Sequence, residues 1–350
     1  MLAFTPHPCL SAFLALAALA FPAPHAQEAP SAVRPSAAKA DAAQFPVHEW
    51  VELVKVVDGD TLQVRRAGAI AKLRLLCVDT EERFHPGQSS SGSKPQTVFG
   101  EETALWAEAF FAGLAHEGEA LRVGLCFPHD REQLDAYGRL LAHVVLPDGR
   151  DYELELVRSG RSPYFNKYGD SEVAHGAFVE AQAQAQRRKL GIWNPATNEP
   201  ATPGVPAVKR PYARLLPWWN ARAAALADFA RRRAAGTDAP LEFADLDALE
   251  KHVGSEVELF GEFSGKPREW HGALEYEVFG SQRGQPLRLV VPESAREALS
   301  AARIGDFGRE YHQNYFYARG KLERAGRGFE VRLERPDQIR RAGPEPVAPR

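Results

Sequence analysis

The sequence predicts a mainly β protein with helices, built from two small barrels of five strands each. Two stretches of the chain each contain five strand patterns with a helix between the third and fourth, and a break rich in Gly and Pro separates them. The chain has 350 residues, which is enough for two domains. Its hydrophobic fraction of 44% and charged fraction of 25% are typical of globular proteins.

The first barrel is predicted from alternating apolar and polar residues. Residues 49–66 form two strand patterns joined by a tight turn at Asp58-Gly59-Asp60, and the run LRLLCV continues a third pattern. A helical pattern follows from Gly100 to His116. Its apolar stripe consists of Trp106, Phe110 and Leu114, widened by Leu105 and Ala109. The predicted strands of this unit are the two within 49–66, followed by 71–78, 119–127 and 139–147.

Two further helices are predicted after the fifth strand. They cover residues 152–160 and 171–191, and the second has basic residues in its last turn with Gly191 as its C-terminal cap. Five strands with a helix between the third and fourth are the pattern of the Greek-key barrel known as the OB-fold. The sequence therefore predicts an OB-fold over residues 47–194.

A linker and a helix are predicted between the two barrels. Residues 194–211 are rich in Pro, Thr and Ala, which indicates an exposed linker, and 215–236 read as a helix with a basic end. That basic end predicts either a nucleic-acid patch or an ordinary solvated helix face, and we favour the solvated face. The linker and helix together fill residues 195–239.

The second unit is expected at residues 240–341. A helix there precedes three strand patterns, a short helix and two more strands, which predicts an OB-like accessory barrel. Trp270, Tyr276 and Arg288 are candidates for stacking on single-stranded nucleic acid, as OB-folds do. They are equally consistent with ordinary core and surface positions, which we favour. A protein-docking or purely stabilising role for this unit stays open.

The N-terminus indicates export. An apolar run from Leu10 to Phe21 is followed by PAPHAQ, with Ala26 as a plausible cleavage residue, which is typical of a secretory signal peptide. The run is too short for a membrane-spanning helix. We therefore expect a signal peptide at 1–26, a flexible spacer at 27–46, and a periplasmic or secreted protein without stable membrane insertion.

Net charge and cysteine usage narrow the function. The formal net charge of −3 argues against a protein that coats nucleic acid, but an enzyme needs only a local positive site. Of the three cysteines, Cys9 would leave with the signal peptide. Cys77 and Cys126 lie in apolar strand patterns, so we expect two independent buried thiols, although an oxidising compartment permits a disulfide.

Acidic residues cluster at two predicted strand ends. Asp60 belongs to the DGDT turn, and Asp79 and Glu82 belong to DTEE at the end of the third strand. Two carboxylates with the Thr80 carbonyl and waters suit a hard cation such as calcium. Glu82 lies three residues past Asp79, where it could polarise a water beside that cation.

Arginines complete the predicted site. Arg74 shares the strand that leads to Asp79, and Arg139 starts a later strand in DAYGR. Guanidinium groups and a divalent cation stabilise the extra negative charge of a phosphodiester transition state, and a carboxylate activates the attacking water. Each motif alone is weak, but their joint order on one barrel predicts a phosphodiesterase.

These motifs resemble the staphylococcal (micrococcal) nuclease, or thermonuclease-like, family. The resemblance is carried by VVDGDTLQV, LRLLCVDTEE, FGEETALWAEAFF, DAYGRLLAHV, LVRSG and EAQAQAQRRKLGIWN, in the family's order over residues 50–193. It implies a calcium-dependent endonuclease that cleaves DNA and RNA and leaves 3′-phosphates. The alternative is a non-catalytic nucleic-acid-binding or protein-interaction OB-fold protein.

The resemblance also implies residue roles. Asp60, Asp79 and the Thr80 carbonyl would be metal ligands, Glu82 the general base acting through water, and Arg74 and Arg139 the phosphate clamps. Tyr137, Tyr164 and Tyr168 would border the bound nucleotide. These assignments are expectations that follow from the family pattern.

The sequence departs from the family pattern at two positions. Glu81 replaces the proline of the usual Asp-Thr-Pro-Glu motif, which removes a rigid residue and adds negative charge near the proposed metal. Ala136 stands where the family often has a lysine that contacts phosphate. The first departure leaves open how rigidly Glu82 is held and which of the two glutamates is the base, and we assign Glu82 because its spacing from Asp79 matches the family motif.

Overall fold

The computed structural model describes most of the chain after the N-terminal segment. The described residues are 45–85, 93–116, 118–135, 137–199, 208–236, 239–263, 266–278, 286–300, 302–304 and 313–343. The predicted signal peptide, the spacer up to residue 44, the three consecutive serines at 89–91 and Ala136 lie outside these residues. Phe45 was expected to belong to the spacer, but it is 6% exposed and packs in the first core, so the first domain extends back to it.

The first unit is the predicted closed barrel. Its strand order is β1-β2-β3-β5-β4, with β3 and β5 parallel and the other pairs antiparallel. The third strand ends at Leu75 rather than at residue 78, and Cys77 adopts a left-handed φ of 61°. The strands are β1 (Glu49–Asp58), β2 (Thr61–Arg66), β3 (Ala69–Leu75), β4 (Arg122–Cys126) and β5 (Leu140–Val145).

Three helices pack on this barrel: α1 (Val98–Ala112), α2 (Tyr152–Arg158) and α3 (His175–Arg187). The predicted apolar stripe of α1 is partly wrong, because Leu105 is 52% exposed. The buried residues of this helix are Phe99, Gly100, Thr103, Ala104, Ala107 and Phe111. Helix α3 is capped by Arg188 rather than by Gly191.

Two glycines allow the barrel and α1 to approach the segment that follows β3. A Cβ on Gly59 would lie 2.7 Å from Thr103 Cγ2 and 2.8 Å from Thr80 Cγ2. A Cβ on Gly100 would lie 2.0 Å from the Glu82 carbonyl oxygen. Neither Gly59 nor Gly100 has a positive φ. Glycine is therefore needed at both positions for close packing rather than for a left-handed turn.

A long helix, α4 (Tyr212–Ala234), connects the barrel to the second unit. Arg222 on this helix is 1% exposed and donates to the Lys167 carbonyl oxygen, to Glu262 and to the Tyr315 hydroxyl. At the basic end, the arginines pair with carboxylates: Arg231 with Asp228, Arg232 with Glu258 and Arg233 with Glu242. These pairs favour the ordinary helix face over a nucleic-acid patch.

The second unit is an eight-stranded sheet with two short helices, α5 (Leu246–Lys251) and α6 (Arg296–Ser300). Its strands are β6 (Leu241–Glu242), β7 (Glu256–Glu262), β8 (Arg268–Trp270), β9 (Ala273–Glu277), β10 (Leu287–Val291), β11 (Tyr315–Ala325), β12 (Gly328–Arg332) and β13 (Ile339–Arg341).

The strand order of this sheet is consistent with the predicted OB-like unit. The order is β6-β7-β11-β12-β10-β9-β8, with β10 and β12 parallel and β13 paired to β11. Its five longer strands, β7, β9, β10, β11 and β12, are connected in the same order as the five strands of the first barrel. Strands β7 and β9 are joined only by the bridge between Phe263 and Val278. The short strands β6, β8 and β13 were not predicted, because two or three residues carry no readable alternation.

No helix among the described residues has the length and apolarity that crossing a membrane requires.

Candidate active site

The two predicted acidic stretches meet at one rim of the barrel. Asp60 lies in the turn between β1 and β2, and Asp79 lies four residues after β3 ends. Arg74 joins them, with Nη1 at 2.5 Å from Asp60 Oδ2 and Nη2 at 2.6 Å from Asp79 Oδ1. Asp60 and Asp79 are 1% and 5% exposed. The carboxylates are therefore held in a nearly dry site by a guanidinium from their own barrel.

Neighbouring charges keep these buried carboxylates ionised. Burial by itself would raise the pKa of Asp60, but Arg74 and Lys94 outweigh it and lower that pKa to about 2. The pKa of Asp79 is lowered further, since Lys94, Arg210 and Arg74 all oppose the effect of burial. Asp58 differs, because burial and the charges of Glu82 and Asp60 raise its pKa to about 6.

Backbone contacts place Thr80 beside Asp60. The Thr80 N–H donates to Asp60 Oδ2 at 3.0 Å, and the Thr61 hydroxyl donates to Asp60 Oδ1 at 3.0 Å. On the other side, the Asp79 N–H donates to the Ser162 hydroxyl at 2.9 Å. These bonds fix the Asp-Thr segment against the barrel. Thr80 therefore lies beside the Asp60 carboxylate and directly follows Asp79 in the chain.

Glu82 points toward the same group of charges. Its Oε1 lies 2.5 Å from Lys94 Nζ, and its side chain is 28% exposed. The Glu82 main chain is held by Pro95 and Thr97, since its N–H donates to the Pro95 carbonyl oxygen and its own carbonyl accepts from the Thr97 N–H. The candidate base is thus held through its backbone while its carboxylate stays accessible.

Glu81, in the proline position, is buried in a hydrogen-bond network. Its carboxylate is 3% exposed and accepts hydrogen bonds from the Thr97 hydroxyl at 2.6 Å, from Asn198 Nδ2 at 2.7 Å and from the Tyr212 hydroxyl at 3.1 Å. It therefore binds the cap of α1, the linker and the start of α4. Its charge is used in this network, and the register leaves Glu82 as the candidate base.

Arg210 is a site residue that the sequence analysis missed. It precedes α4, is 6% exposed, and donates from Nη1 to the Asp79 carbonyl oxygen at 2.7 Å and from Nη2 to Asp79 Oδ2. Its Nε donates to the Ser93 carbonyl oxygen at 2.5 Å. The expectation of a simply exposed linker is wrong at this residue. Nothing in the local sequence signalled it, because the contact with Asp79 spans 131 residues.

The second predicted clamp, Arg139, is held by an aspartate of its own turn. Its Nε donates to Asp135 Oδ2 at 2.7 Å, and its guanidinium lies 5.5 Å from the centre of the Tyr137 ring. Because β3 and β5 are parallel with Arg74 opposite Leu141, Arg139 starts the strand beside the one that carries Arg74. The structure gives no direct contact of Arg139 with Asp60 or Asp79 among the described residues.

The three predicted tyrosines occupy different environments. Tyr137 and Tyr168 are 86% and 70% exposed, as residues that border a bound nucleotide require. Tyr164 is 4% exposed, stacks on Phe178, and its hydroxyl accepts from the Ser171 N–H at 2.8 Å. Tyr164 is therefore a core residue, and its assignment beside the nucleotide is wrong in this structure. The local sequence around these three tyrosines did not distinguish a core position from a surface position.

A second acidic group is buried where β5 meets the start of α2, away from the Asp60 and Asp79 rim. His143, Asp151 and Glu153 are all buried, and their ligand atoms lie within 4.8 Å of one another. Asp151 caps α2, and both Glu153 oxygens accept from the Val144 N–H at 3.1 Å. Burial and the nearby Asp151 raise the pKa of Glu153 well above its ordinary value. Glu153 is therefore held as a structural acceptor for the main chain of β5.

Cys77 and Cys126 are both free, which confirms the expectation of two independent thiols. Burial raises the pKa of each thiol, that of Cys126 to about 11. Both therefore stay neutral at physiological pH, and neither has the character of a nucleophile or a metal ligand.

The three candidate stacking residues of the second unit differ in burial. Tyr276 is 7% exposed and belongs to the second core, whereas Trp270 is 52% exposed and Arg288 pairs with Glu275. They do not form one stacking surface. This arrangement favours the ordinary interpretation of these three residues.

The rim carboxylates fit a hard cation. Asp60, Asp79 and Glu82 direct three carboxylate oxygens at one cationic group, the Lys94 ammonium, at 2.5–3.3 Å. Several carboxylate oxygens around one positive centre are the donor set that calcium and magnesium prefer. The rim residues therefore fit a hard divalent cation, whereas the buried His143 cluster is a separate feature.

Comparison with known proteins agrees with this geometry. The sequence model of the family described as "Staphylococcal nuclease homologue" matches residues 72–195. Residues 72–195 are therefore similar to staphylococcal nuclease. Strands β1 and β2, with Asp60 in the turn between them, precede the matched segment and complete its barrel.

Several curated proteins resemble this domain. The chain is 32% identical over 142 residues to "Endonuclease YhcR" of Bacillus subtilis, covering 40% of this chain and 11% of that protein. It is 29% identical over 141 residues to "Thermonuclease" of Staphylococcus intermedius, covering 40% of this chain and 73% of that protein. An "Uncharacterized endonuclease" of Escherichia coli is 26% identical over 149 residues, covering 42% and 79%. The similarity therefore concerns the nuclease-like domain and only about a tenth of YhcR.

Proposed function

We propose that this protein is an exported, calcium-dependent endonuclease that hydrolyses phosphodiester bonds of DNA, RNA or both. The observation that carries the proposal is the convergence of Asp60, Asp79 and Glu82 on one positive centre beside Arg74. A carboxylate group of this kind next to a guanidinium matches the needs of a phosphodiester transition state. The names of the nuclease-like relatives support the same reaction class.

The proposed cation ligands are Asp60, Asp79 and the Thr80 carbonyl. Asp60 and Asp79 stay ionised because Arg74 lies between them, so they keep their full negative charge for a divalent ion. When bound, that ion supplies positive charge to the phosphoryl oxygens and orients the substrate. The remaining chemistry belongs to side chains of this chain.

Glu82 is the proposed general base. Its carboxylate borders the site and is partly exposed, so it can accept a proton from a water molecule that attacks the phosphorus in line. Glu81 cannot take this role, because both of its oxygens are bound by Thr97, Asn198 and Tyr212. The two adjacent glutamates therefore have distinct roles.

Arg74 and Arg139 are the proposed phosphate clamps. Arg74 already lies at the carboxylates, and its planar guanidinium can exchange part of that contact for phosphate oxygens. Arg139 would leave Asp135 to reach the phosphate, with the exposed Tyr137 beside it. Tyr137 and Tyr168 then offer rings to the flanking nucleotide.

The experiment that tests the proposal measures cleavage by the purified full chain. Single-stranded DNA, duplex DNA and RNA are incubated with calcium and, in parallel, with excess chelator. We expect cleavage of at least one substrate with calcium and none with chelator. Absence of cleavage of all three with calcium would contradict the enzyme and favour a binding protein. Export is tested separately by locating the protein in cell fractions and sequencing its N-terminus for cleavage after Ala26.

A further inference from the structure

The feature that carries a further inference is the position of Lys94. Its Nζ lies 3.3 Å from Asp60 Oδ2, 3.2 Å from Asp79 Oδ1 and 2.5 Å from Glu82 Oε1. These carboxylates come from two separate stretches of the chain, yet they surround one ammonium group. Among the described residues, Lys94 bridges all three.

The Lys94 ammonium takes the place that a divalent ion would need. Calcium binds its oxygen ligands at about 2.3–2.6 Å, so an ion shared by these carboxylates would lie within a short distance of Nζ. Two positive centres cannot share that position, because they repel each other and compete for the same oxygens. Calcium binding and the observed Lys94 contacts therefore exclude each other.

Lys94 is the group that would yield, rather than Arg74. Arg74 projects from strand β3, is 12% exposed at its side chain, and also donates to the Val78 carbonyl oxygen at 3.2 Å. Lys94 lies on the segment between β3 and α1, and its side chain is 26% exposed. A lysine is a point charge on a flexible stem, so it can leave the carboxylates without disturbing the barrel.

The same carboxylates keep the lysine charged. Three carboxylate oxygens surround Nζ at 2.5–3.3 Å, and these contacts favour the ammonium form over the neutral amine. At neutral pH the site therefore holds a cation of its own in addition to Arg74. A neutral amine that binds metal as a ligand does not describe this geometry.

We propose that Lys94 is an internal counter-ion that competes with the divalent cation for Asp60, Asp79 and Glu82, and thereby sets the affinity of the site for calcium. This inference rests on the proposed function, because it concerns the same cation site. It predicts that the catalytic cation is bound more weakly than its donor set alone would allow. Lys94 is an affinity-determining residue here and takes no part in the bond-breaking step.

Calcium binding without any nucleic acid tests this inference. Isothermal titration calorimetry with calcium chloride is carried out on the full chain, as wild type and as Lys94→Met. Removing the competing charge is expected to lower the Kd for calcium by about tenfold or more, since charge-assisted contacts are the strong ones. Lys55→Met, which removes an exposed lysine from β1, is the matched control and should bind calcium as the wild type does.

Thermal unfolding gives a second readout and a check on folding. Without calcium, Lys94→Met should unfold at a lower temperature, because its carboxylates repel one another. Calcium should then raise its Tm more than it raises that of the wild type, since tighter ligands stabilise more. Lys94→Gln removes the charge but keeps hydrogen-bond donors, and the same calcium response is expected of it.

The outcomes separate this inference from the proposed function. Equal or weaker calcium binding by Lys94→Met and Lys94→Gln would overturn the competition, even if the wild type cleaves DNA with calcium. Tighter binding by both variants would support it, even if no variant cleaves nucleic acid. Absence of calcium binding by every variant would overturn the competition and the calcium site together.

Discussion

The Arg210 guanidinium binds both the main chain and the side chain of Asp79. Nη1 donates to the Asp79 carbonyl oxygen at 2.7 Å and Nη2 binds the carboxylate Oδ2, across 131 residues of sequence. Asp79 Oδ1 is left to face Arg74 and Lys94. A residue from the segment before α4 thus fixes which oxygen of a proposed metal ligand faces the site.

Arg210 is therefore expected to be a positioning residue. Arg210→Ala should reduce the cleavage rate at saturating calcium by about tenfold or more, because Asp79 loses a bidentate partner in a buried position. Arg210→Lys should restore only part of that rate, since an ammonium cannot reproduce the two parallel contacts. Steady-state kinetics with calcium titration at each variant measures this effect.

The neighbouring Lys209 is the matched control for Arg210. Its ammonium binds Glu199 and the Pro195 carbonyl oxygen on the surface, away from Asp79. Lys209→Ala should keep the wild-type rate. An Arg210→Ala protein that is folded and cleaves at the wild-type rate would remove Arg210 from the site.

Arg139 provides a cleaner test of the phosphate clamp than Arg74 does. Arg139→Ala should lower the rate on the order of 10²-fold, as loss of one charge stabiliser does in other enzymes, with little change in stability. Its only described carboxylate partner is Asp135, in a half-exposed turn. Arg158→Ala, which removes a surface arginine paired with Glu155 on α2, is the control.

Arg74→Ala should lose the same order of rate and also destabilise the fold. Arg74 separates two buried carboxylates, so its removal leaves them facing each other with less compensation. Urea unfolding beside the kinetic assay separates the two effects. Wild-type rates in both arginine variants would contradict the clamp assignment.

Glu81 is expected to matter for stability rather than for chemistry. Glu81→Pro restores the residue usual in the family but removes an acceptor shared by Thr97, Asn198 and Tyr212. We expect a loss of roughly 1–3 kcal/mol in the free energy of unfolding, because buried donors lose their partner. The cleavage rate per folded molecule should be retained, and a folded Glu81→Pro protein without activity would show that Glu81 takes part in the reaction.

Stability should fall as pH rises because of Glu153. The raised pKa of this buried carboxyl means that the folded state keeps a proton which the unfolded chain releases above about 4.3. The contribution is therefore fully present below that pH and is lost as pH rises through the folded pKa, at up to about 1.4 kcal/mol per pH unit.

Glu153→Gln isolates this contribution. The amide mimics the protonated carboxyl, so the variant should show a flatter dependence of unfolding free energy on pH between about 4.3 and 8. Denaturant unfolding of both proteins across that range measures the difference. Parallel pH profiles for wild type and variant would show that Glu153 is ionised in the fold.

The barrel and its acidic rim were predictable because they depend on local patterns. Alternating strands, the DGDT turn and the spacing from Arg74 to Glu82 lie within short stretches, and side-chain periodicity reports them directly. The end of β3 was less predictable, because the apolar run continues through Leu76 and Val78 after the ladder has stopped. A turn at Cys77 with a positive φ has no signature in an apolar sequence.

The contacts from the linker were not predictable from one sequence. Asn198, Arg210 and Tyr212 reach the Asp-Thr-Glu-Glu segment across more than a hundred residues, and each is an ordinary residue in its local context. Tyr164 could not be placed either. It was expected beside the bound nucleotide, but it packs in the core. Burial depends on tertiary packing, which the local sequence does not determine.

Cleavage of single-stranded DNA at saturating calcium, compared between the wild type and Glu82→Gln, decides whether Glu82 is the general base. Glu82→Gln keeps the shape of the side chain and removes its basicity. We expect calcium-dependent cleavage by the wild type and a rate lower by about 10²–10⁴-fold in the variant, with calcium still bound. Equal rates in the two proteins, or cleavage by the wild type that persists in excess chelator, would contradict it.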